Sequence, residues 1–269
     1  MMDARCTVLV GSCDKYVDVL APFAALKRKY WPDCPFETVL VTEHAPEIPG
    51  EREAERPAFD RVIACGTGTN WASRLVMALE QISTPNVLML CDDYFLEGPV
   101  DTRRLLHRLD QLETFDAANL RLIPNPRHGL VREDGLMEYP KNTAYCVSTL
   151  AGFWKRDYLE RLARPVSSIW EFERFGSFAV GDERRPILAT VEREFPFVDA
   201  VHKGCWERFG VQVCRENGIE LDLVRRGLPS LGTRIREGVK ALVFAVFPNT
   251  WIVRVQNALG LGARERRST

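Results

Sequence analysis

A chain of 269 residues with 46% hydrophobic and 27% charged residues is typical of a globular protein with one large domain, or one domain and an appendage. No stretch of about 20 apolar residues is present to span a bilayer, and the first ten residues lack the pattern of a signal peptide. The eight cysteines form no C-x-x-C pair and no zinc-like spacing. We therefore predict a protein of a reducing compartment, the cytoplasm.

The first half of the chain alternates strand-like and helical segments. The predicted elements, in order, are a strand at 6–10, a helix at 16–30, strands at 36–41 and 61–65, a helix at 71–82, a strand from 86 and a helix at 101–112. Strands that alternate with helices predict a parallel sheet with crossover helices. We predict an α/β nucleotide-binding half at about residues 1–115.

The second half, at about residues 116–224, is less regular. A strand-like segment at 117–122 is followed by a loop rich in Pro and Gly. An apolar stretch then leads through 151–154 into a helix with a basic start, and a capped helix begins near Ser167. We predict one domain over residues 1–224.

Charge is concentrated at the C-terminal end. Residues 225–269 contain nine Lys or Arg and two Glu, a net charge of +7, so residues 1–224 carry −8 of the total of −1. Within this segment, residues 234–246 are basic first and apolar after. We predict a basic amphipathic helical segment that either contacts an anionic membrane surface or packs on the domain, or on a second copy in a homo-oligomer. No nucleic-acid motif accompanies the charge, so we expect no nucleic-acid partner.

The most informative stretch is the apolar strand that starts at Asn86 and runs into Asp92 and Asp93. Such a strand is buried on both faces of a sheet and delivers two acids to the edge where open α/β sheets bind ligands. In an extended segment the two side chains would point in opposite directions. One would bind a metal or a ribose hydroxyl, and the other would hold the loop. The alternative is a strand end followed by a helix cap, but two buried unpaired charges are costly and favour a site.

Several stretches in order resemble the bacterial GT-A-type glycosyltransferases of surface-polysaccharide (capsule and O-antigen) biosynthesis, over roughly residues 6–215. They are Val10-Gly11-Ser12-Cys13-Asp14, Asn70-Trp71-Ala72-Ser73-Arg74-Leu75, Asp92-Asp93-Tyr94-Phe95, Ala151-Gly152-Phe153-Trp154, Trp170-Glu171-Phe172-Glu173 and Lys203-Gly204-Cys205-Trp206. The resemblance implies a GT-A-like, Rossmann-related fold with a mostly parallel central sheet flanked by helices. It also implies a nucleoside-diphosphate-sugar donor, with a UDP-sugar favoured, Mn²⁺ or Mg²⁺ as cofactor, and an acceptor half at about 116–224.

The resemblance also suggests roles for individual residues. The donor-binding candidates are Ser12, Cys13, Asp14, Asn70, Arg74, Asp92 and Lys203, and the metal-binding candidates are Asp93 and His202. Four of them have a plain structural alternative: Ser12 and Asp14 as helix caps, Arg74 as a partner of Asp92 or a surface residue, and His202 as a structural histidine. The sequence has Asp-Asp-Tyr where the family commonly has Asp-x-Asp. A metal is still feasible, because Mg²⁺ needs only one or two protein carboxylates besides substrate phosphates.

Sugar transfer to a hydroxyl needs a general base, for which Glu173 and Glu171 are the candidates. Two residues apart on a helix they diverge by about 200°, so only one can face the cleft. The resemblance favours Glu173. The alternative is that both acids interact favourably with the helix dipole.

These observations predict an inverting glycosyltransferase that acts on a lipid-linked or polysaccharide hydroxyl, at the inner face of the cytoplasmic membrane if the tail binds lipid. A nucleotidyltransferase of the same fold would use the same acids, but the loop after Gly11 lacks a glycine- and lysine-rich phosphate cradle. A non-catalytic, membrane-attached subunit of glycan assembly is the third alternative, and the Asp-Asp-Tyr turn keeps it open.

Overall fold

The computed structural model describes residues 2–51, 54–127, 129–141, 143, 145–179 and 183–228. Contacts divide the chain into one unit at Met1–Arg226 and another at Gly227–Thr269. The predicted C-terminal helical segment lies outside the described residues from position 229 onward. Arg225 and Arg226, which the sequence pattern placed in that segment, belong to the first unit.

The strands are β1 (Cys6–Gly11), β2 (Glu37–Thr42), β3 (Arg61–Ala64), β4 (Asn86–Cys91), β5 (Tyr94–Leu96), β6 (Asn119–Arg121), β7 (Leu130–Val131), β8 (Leu136–Glu138), β9 (Gly152–Lys155), β10 (Ile187–Thr190), β11 (Phe197–Asp199), β12 (Val201–His202) and β13 (Cys205–Trp206). The helices are α1 (Val17–Tyr30), α2 (Trp71–Gln81), α3 (Thr102–Thr114), α4 (Arg156–Ala163), α5 (Ile169–Ala179) and α6 (Arg208–Glu216).

A nine-stranded central sheet has the order β3-β2-β1-β4-β9-β6-β10-β8-β7. The first four strands pair in parallel, and β6 pairs in parallel with β10. Only β9 and β8 run against the other strands of this sheet. The predicted α/β fold with a mostly parallel sheet flanked by helices is confirmed. Two small sheets, β5 with β11 and β12 with β13, lie outside it.

The apolar runs in the sequence become strands that are buried on both faces. In β1, Val8 and Val10 join the core beneath α1 and α3, whereas Leu9 joins the core beneath α2, α4 and α5. This follows from the two-residue period of a strand, since successive side chains point to opposite faces. A continuous apolar run is therefore required in β1 and in β4, and both strands end where the next residues are polar.

Helices α2 and α3 begin at residues whose side chains cap them. The Asn70 side chain accepts a bond from the Ser73 amide, and the Ser73 hydroxyl accepts one from the Asn70 amide, so a capping box starts α2. Asp101 caps α3 in the same way through the amide of Arg104. No helix within the described part of the chain has the length and hydropathy to cross a membrane.

Candidate functional site

The ends of β1 and β4 meet at the edge of the sheet, because these strands are parallel neighbours with Gly11 opposite Cys91. The amide of Asp92 donates to the carbonyl of Gly11 over 3.2 Å. The Ser12 hydroxyl donates to Asp92 Oδ2 over 2.5 Å. Ser12 and Asp92, both predicted to bind the donor, are therefore in direct contact.

The two acids lie in a turn between β4 and β5, not in an extended segment. The alternation we expected from an extended strand therefore does not apply to them. Burial raises the pKa of Asp92 to about 7. Burial also raises the pKa of Asp93 well above its usual range, and the negative charges of Asp92 and Asp199 act in the same direction. A cation bound between these acids would favour their charged forms against the effect of burial.

Asp199 is a residue of this site that the sequence did not indicate. It pairs with Tyr94 where β11 runs antiparallel to β5, and the next amide, that of Ala200, donates to the Asp93 carbonyl over 2.8 Å. Burial raises the pKa of Asp199, and the charges of Arg193 and His202 offset only part of this effect. Asp199 lies 106 positions beyond Asp93 in the sequence, so no local pattern links the two.

The predicted residues His202 and Lys203 lie on the hairpin of β12 and β13. Lys203 and Gly204 have φ angles of +50° and +79°. A two-residue loop with both φ angles positive is the type I′ turn that suits the twist of a hairpin, and Gly204 accepts it without strain. The turn exposes His202 and Lys203 to solvent, so both are accessible to a ligand.

We tested the residues of this site against a divalent metal ion. No cluster of three or more His, Cys, Asp or Glu side chains with metal-ligand geometry is present among the described residues. Asp93 and Asp199 nevertheless supply carboxylate oxygens, and burial raises the pKa of both. A hard cation that takes one or two protein carboxylates and completes its shell with phosphate oxygens and water fits this donor set.

Arg226 contributes a positive charge that the sequence did not predict for the site. Its guanidinium donates to both carboxylate oxygens of Asp18, over 2.6 and 2.9 Å, and to the carbonyl of Lys15. It also lies over the Tyr16 ring at 4.2 Å. Its charge lowers the pKa values of Asp92 and Asp93 against the larger effect of burial. Arg226 is thus held at the acid pair by the segment that follows β1.

The helix-cap alternatives for Ser12 and Asp14 are wrong. The short 3₁₀ turn at Asp14–Tyr16 has Cys13 as its cap residue and no side-chain cap bond. Asp14 instead contacts His44, with 2.6 Å between Asp14 Oδ2 and His44 Nδ1. Cys13 is half-buried, which raises the pKa of its thiol. These side chains therefore line the edge of the sheet.

Arg74 is buried but does not hold Asp92, the alternative we had considered. Its Nη1 donates to Glu43 Oε1 over 2.9 Å and to the carbonyl of Thr69 over 2.7 Å. Glu43 also accepts the amide of Asp14 over 2.7 Å, so Arg74 supports the loop after β1 through Glu43. A cavity of about 20 Å³ between Ser12 and Arg74 is large enough for about one water molecule. Asn70, the remaining donor candidate, is committed to capping α2.

The two candidate bases have separate environments on α5. Glu171 Oε2 accepts the amide and the hydroxyl of Ser167 over 2.9 and 2.7 Å, at the start of the helix. Glu173 Oε1 accepts three bonds: from the Ser148 hydroxyl over 3.0 Å, the Thr149 amide over 2.8 Å and the Thr149 hydroxyl over 2.9 Å. The two acids therefore diverge as the helical spacing predicted.

Glu173 and the acid pair lie around the same strand end. Burial raises the pKa of Cys91, the last residue of β4, well above its usual range, and the negative charges of the two aspartates and of Glu173 act in the same direction. A hydrogen bond of 3.3 Å from the Tyr94 hydroxyl to the Thr149 carbonyl connects the turn of the acid pair with the segment that holds Glu173. Two acids that could bind a cation therefore lie near Glu173, a carboxylate with one oxygen held by hydrogen bonds.

Comparisons with known proteins identify no family. No family profile and no curated protein matches the chain. Among solved structures, residues 1–349 of TarS from S. aureus match with 12% identity and a TM-score of 0.46, over 72% of this chain and 59% of that chain. A mannosyltransferase from Pyrobaculum calidifontis, solved with GDP-Man and Mn²⁺, matches with 16% identity and a TM-score of 0.47, over 97% and 83%.

A cytidylyltransferase from Leptospira borgpetersenii matches with 11% identity and a TM-score of 0.45, over 86% of this chain and 99% of that chain. The chain thus spans less than two thirds of the TarS fragment and most of the other two proteins.

Proposed function

We propose that the protein transfers a sugar from a nucleoside diphosphate to a hydroxyl group of a glycan or lipid-linked acceptor. The observation that carries this proposal is the link between Glu173 and the turn of the two aspartates. Thr149 donates to Glu173 and accepts a hydrogen bond from Tyr94, the residue after Asp93. A carboxylate that is fixed through one oxygen suits a general base, and a nearby acid pair suits a diphosphate with its cation.

The donor would lie across the carboxyl ends of β1 and β4. Asp92, which accepts a hydrogen bond from Ser12, would also accept one from a ribose hydroxyl. Asp93 and Asp199 would hold Mn²⁺ or Mg²⁺, which when bound neutralises the charge of the diphosphate. Lys203 is exposed on the β12–β13 hairpin, as is His202, and would add positive charge.

The acceptor hydroxyl would lie at Glu173. Oε1 accepts three hydrogen bonds, whereas Oε2 accepts none from the described residues. Oε2 takes the hydroxyl proton as the acceptor oxygen bonds to the anomeric carbon. The bond from that carbon to the diphosphate breaks, and its electron pair stays on the leaving phosphate oxygen. A single displacement of this kind inverts the anomeric centre.

Thermal shift and product analysis of the full chain test this function. We expect UDP, more than CDP or GDP, to raise the melting temperature in MnCl₂. We then expect transfer of labelled sugar from a UDP-sugar to a glycan or lipid-linked acceptor, with release of UDP. Pyrophosphate release from a nucleoside triphosphate and a sugar phosphate would indicate a nucleotidyltransferase instead. No shift with any nucleotide or nucleotide sugar would favour a non-catalytic subunit.

We further propose that residues 225–269 bring the enzyme to an anionic membrane surface, the inner face of the cytoplasmic membrane. The support is the net charge of +7 in this segment and the aromatic and apolar residues beside its basic ones. Vesicles with phosphatidylglycerol should sediment the full chain, and vesicles of phosphatidylcholine alone should not. Equal binding to both vesicles, or binding that is unaffected by 0.5 M salt, would contradict the electrostatic contribution.

A further inference from the structure

The segment 145–149, here called the strap, lies against one face of α5. Glu173 accepts bonds from Ser148 and Thr149, and the Ser177 hydroxyl accepts the amide of Val147 over 3.3 Å. A Cβ atom on Gly176 would lie only 2.6 Å from Val147 Cγ1, so the helix and the strap are in close contact there. Positions 173, 176 and 177 share one helix face. The strap therefore provides the hydrogen bonds that hold the candidate base, Glu173, in position.

Arg121 holds the other side of the strap. This arginine, at the end of β6, is fully buried. Its guanidinium donates to the carbonyls of Tyr145 (3.4 Å) and Cys146, and to that of Asn125. The Tyr139 ring lies 5.0 Å from the guanidinium carbon.

The environment of Arg121 is unusual for a buried charge. Burial lowers the pKa of Arg121, and its Nε has no hydrogen-bond partner among the described residues. Its interactions there are with carbonyl oxygens and a ring, without a salt bridge to a carboxylate. Burying an arginine with these partners lowers the stability of the fold. The interactions that this arginine provides in return are its contacts with the strap.

The strap also contacts the turn of the acid pair. The Tyr94 hydroxyl donates to the carbonyl of Thr149, and the Tyr94 ring stacks on Phe197 at 4.0 Å between centroids. Tyr94 directly follows Asp93. One short segment thus touches the buried arginine, the candidate base and the residue next to the acid pair.

We propose that Arg121 is a positioning residue for sugar transfer. By fixing the carbonyls of Tyr145 and Cys146 it sets the place of Ser148 and Thr149, which hold Oε1 of Glu173 and leave Oε2 to the acceptor. The forked, planar guanidinium reaches several carbonyls at once, and a lysine ammonium at this position cannot. The role of Glu173 as the base rests on the proposed function, whereas the coupling between Arg121 and the strap does not.

Two variants of the full chain separate positioning from general stability. Arg121→Lys keeps the positive charge and removes the planar guanidinium that bonds to several carbonyls at once. Arg108→Lys is the matched control, because Arg108 on α3 makes a two-bond contact with Glu194 (2.8 and 2.6 Å) and donates no hydrogen bond to residues 145–149. We measure kcat and KM for the sugar nucleotide, and the hydrogen exchange of the Thr149 amide, which donates to Glu173.

We expect Arg121→Lys to lower kcat by about 10²-fold, the usual effect of a misplaced catalytic group. KM for the donor should remain within about twofold, since Arg121 bonds to the carbonyls of Asn125, Tyr145 and Cys146 and to none of the donor-binding candidates. Exchange at Thr149 should accelerate by at least about tenfold while exchange in β1 stays as in the wild type. Arg108→Lys should change neither kcat nor Thr149 exchange.

Thr149→Val provides a second variant if Arg121→Lys does not fold. It removes one hydroxyl donor to Glu173 with little change in shape, and we expect a decrease in kcat of about tenfold at constant donor KM. An unchanged kcat in this variant would overturn the proposal.

Two results with Arg121→Lys would also overturn it: a kcat loss no larger than that of Arg108→Lys, or Thr149 exchange as slow as in the wild type. If the wild type transfers no sugar from any nucleotide sugar, the proposed function fails. The exchange measurement then still decides whether Arg121 controls the strap.

Discussion

The hydroxyl of Ser12 donates a hydrogen bond of 2.5 Å to Oδ2 of Asp92. These residues are 80 positions apart in the sequence, and they meet because β1 and β4 are parallel neighbours that end at the same sheet edge. One hydrogen bond does not compensate for the burial of the carboxylate, since the pKa of Asp92 is still raised. The charged form of Asp92 therefore lowers the stability of the folded protein at the position where we propose that the donor binds.

The stability of the apo protein should therefore depend on Asp92 and on pH. The pKa of Asp92 rises from 3.8 in the unfolded chain to about 7 in the fold, so the folded state keeps a proton that the unfolded state loses, and stability falls as pH rises from about 4 to 7. At pH 8, Asp92→Asn should stabilise the protein on the order of 2 kcal/mol, roughly 4–8 °C in Tm. At pH 4 the difference should nearly vanish. Scanning fluorimetry across this range is the measurement, and a pH-independent difference in Tm would contradict it.

Much of the parallel half was predictable because its signals are local. The apolar run before Asp92 was expected to be a buried strand, and the structure has β4 at Asn86–Cys91. The helix predicted at 71–82 is α2 at Trp71–Gln81, and its capping residues, Asn70 and Ser73, lie at its start in the sequence. Periodicity and capping depend on neighbours in the chain, so a single sequence reveals them.

The partners within the site were not predictable in the same way. Arg226 contacts Asp18 across 208 positions, and its basic neighbours suggested a tail. Arg121 looked like an ordinary strand residue, because only the tertiary fold brings the carbonyls of Tyr145 and Cys146 to it. Pairs of this kind depend on which strands become neighbours, and no local pattern encodes that.

Glu173 and Glu171 offer a matched test of the base. Glu173→Gln should lower kcat by about 10²–10⁴-fold, the range of general-base catalysis, with little effect on the UDP-induced thermal shift. Glu171→Gln changes the same chemical group two residues earlier, where the side chain contacts Ser167 at the helix start. Its kcat should stay within about threefold of the wild type, because Glu171 is bonded to Ser167 at the start of the helix and not to the segment that holds Glu173. Equal losses in both variants would refute the assignment of Glu173.

The effect of Mn²⁺ on UDP binding should depend on the carboxylate of Asp93. We expect Mn²⁺ to tighten UDP binding in the wild type, since a divalent ion joins carboxylate and phosphate oxygens. Asp93→Asn should reduce this Mn²⁺-dependent gain at least about tenfold and leave binding in EDTA nearly unchanged. Titration calorimetry with and without Mn²⁺ measures both quantities. A wild-type affinity for UDP that is the same in EDTA and in Mn²⁺ would remove the metal from the proposal.

Arg226 should contribute to stability through Asp18 and to donor binding through its charge. Both side chains are nearly buried. Arg226→Gln leaves Asp18 with the half-exposed Arg225, at 3.6 Å, as its ion-pair partner, and should cost about 3 kcal/mol in denaturant unfolding. Loss of the cation should also raise the pKa values of Asp92 and Asp93 further, because Arg226 now lowers them.

The double variant Arg226→Gln with Asp18→Asn separates these two contributions. It removes both charges of the buried pair and should recover most of the lost stability. Its affinity for UDP should nevertheless stay several-fold below that of the wild type, since the positive charge near the acid pair is still missing. If UDP affinity returns together with stability, Arg226 only anchors the end of the domain to α1, and the cation at the donor site must come from the β12–β13 hairpin or from the metal.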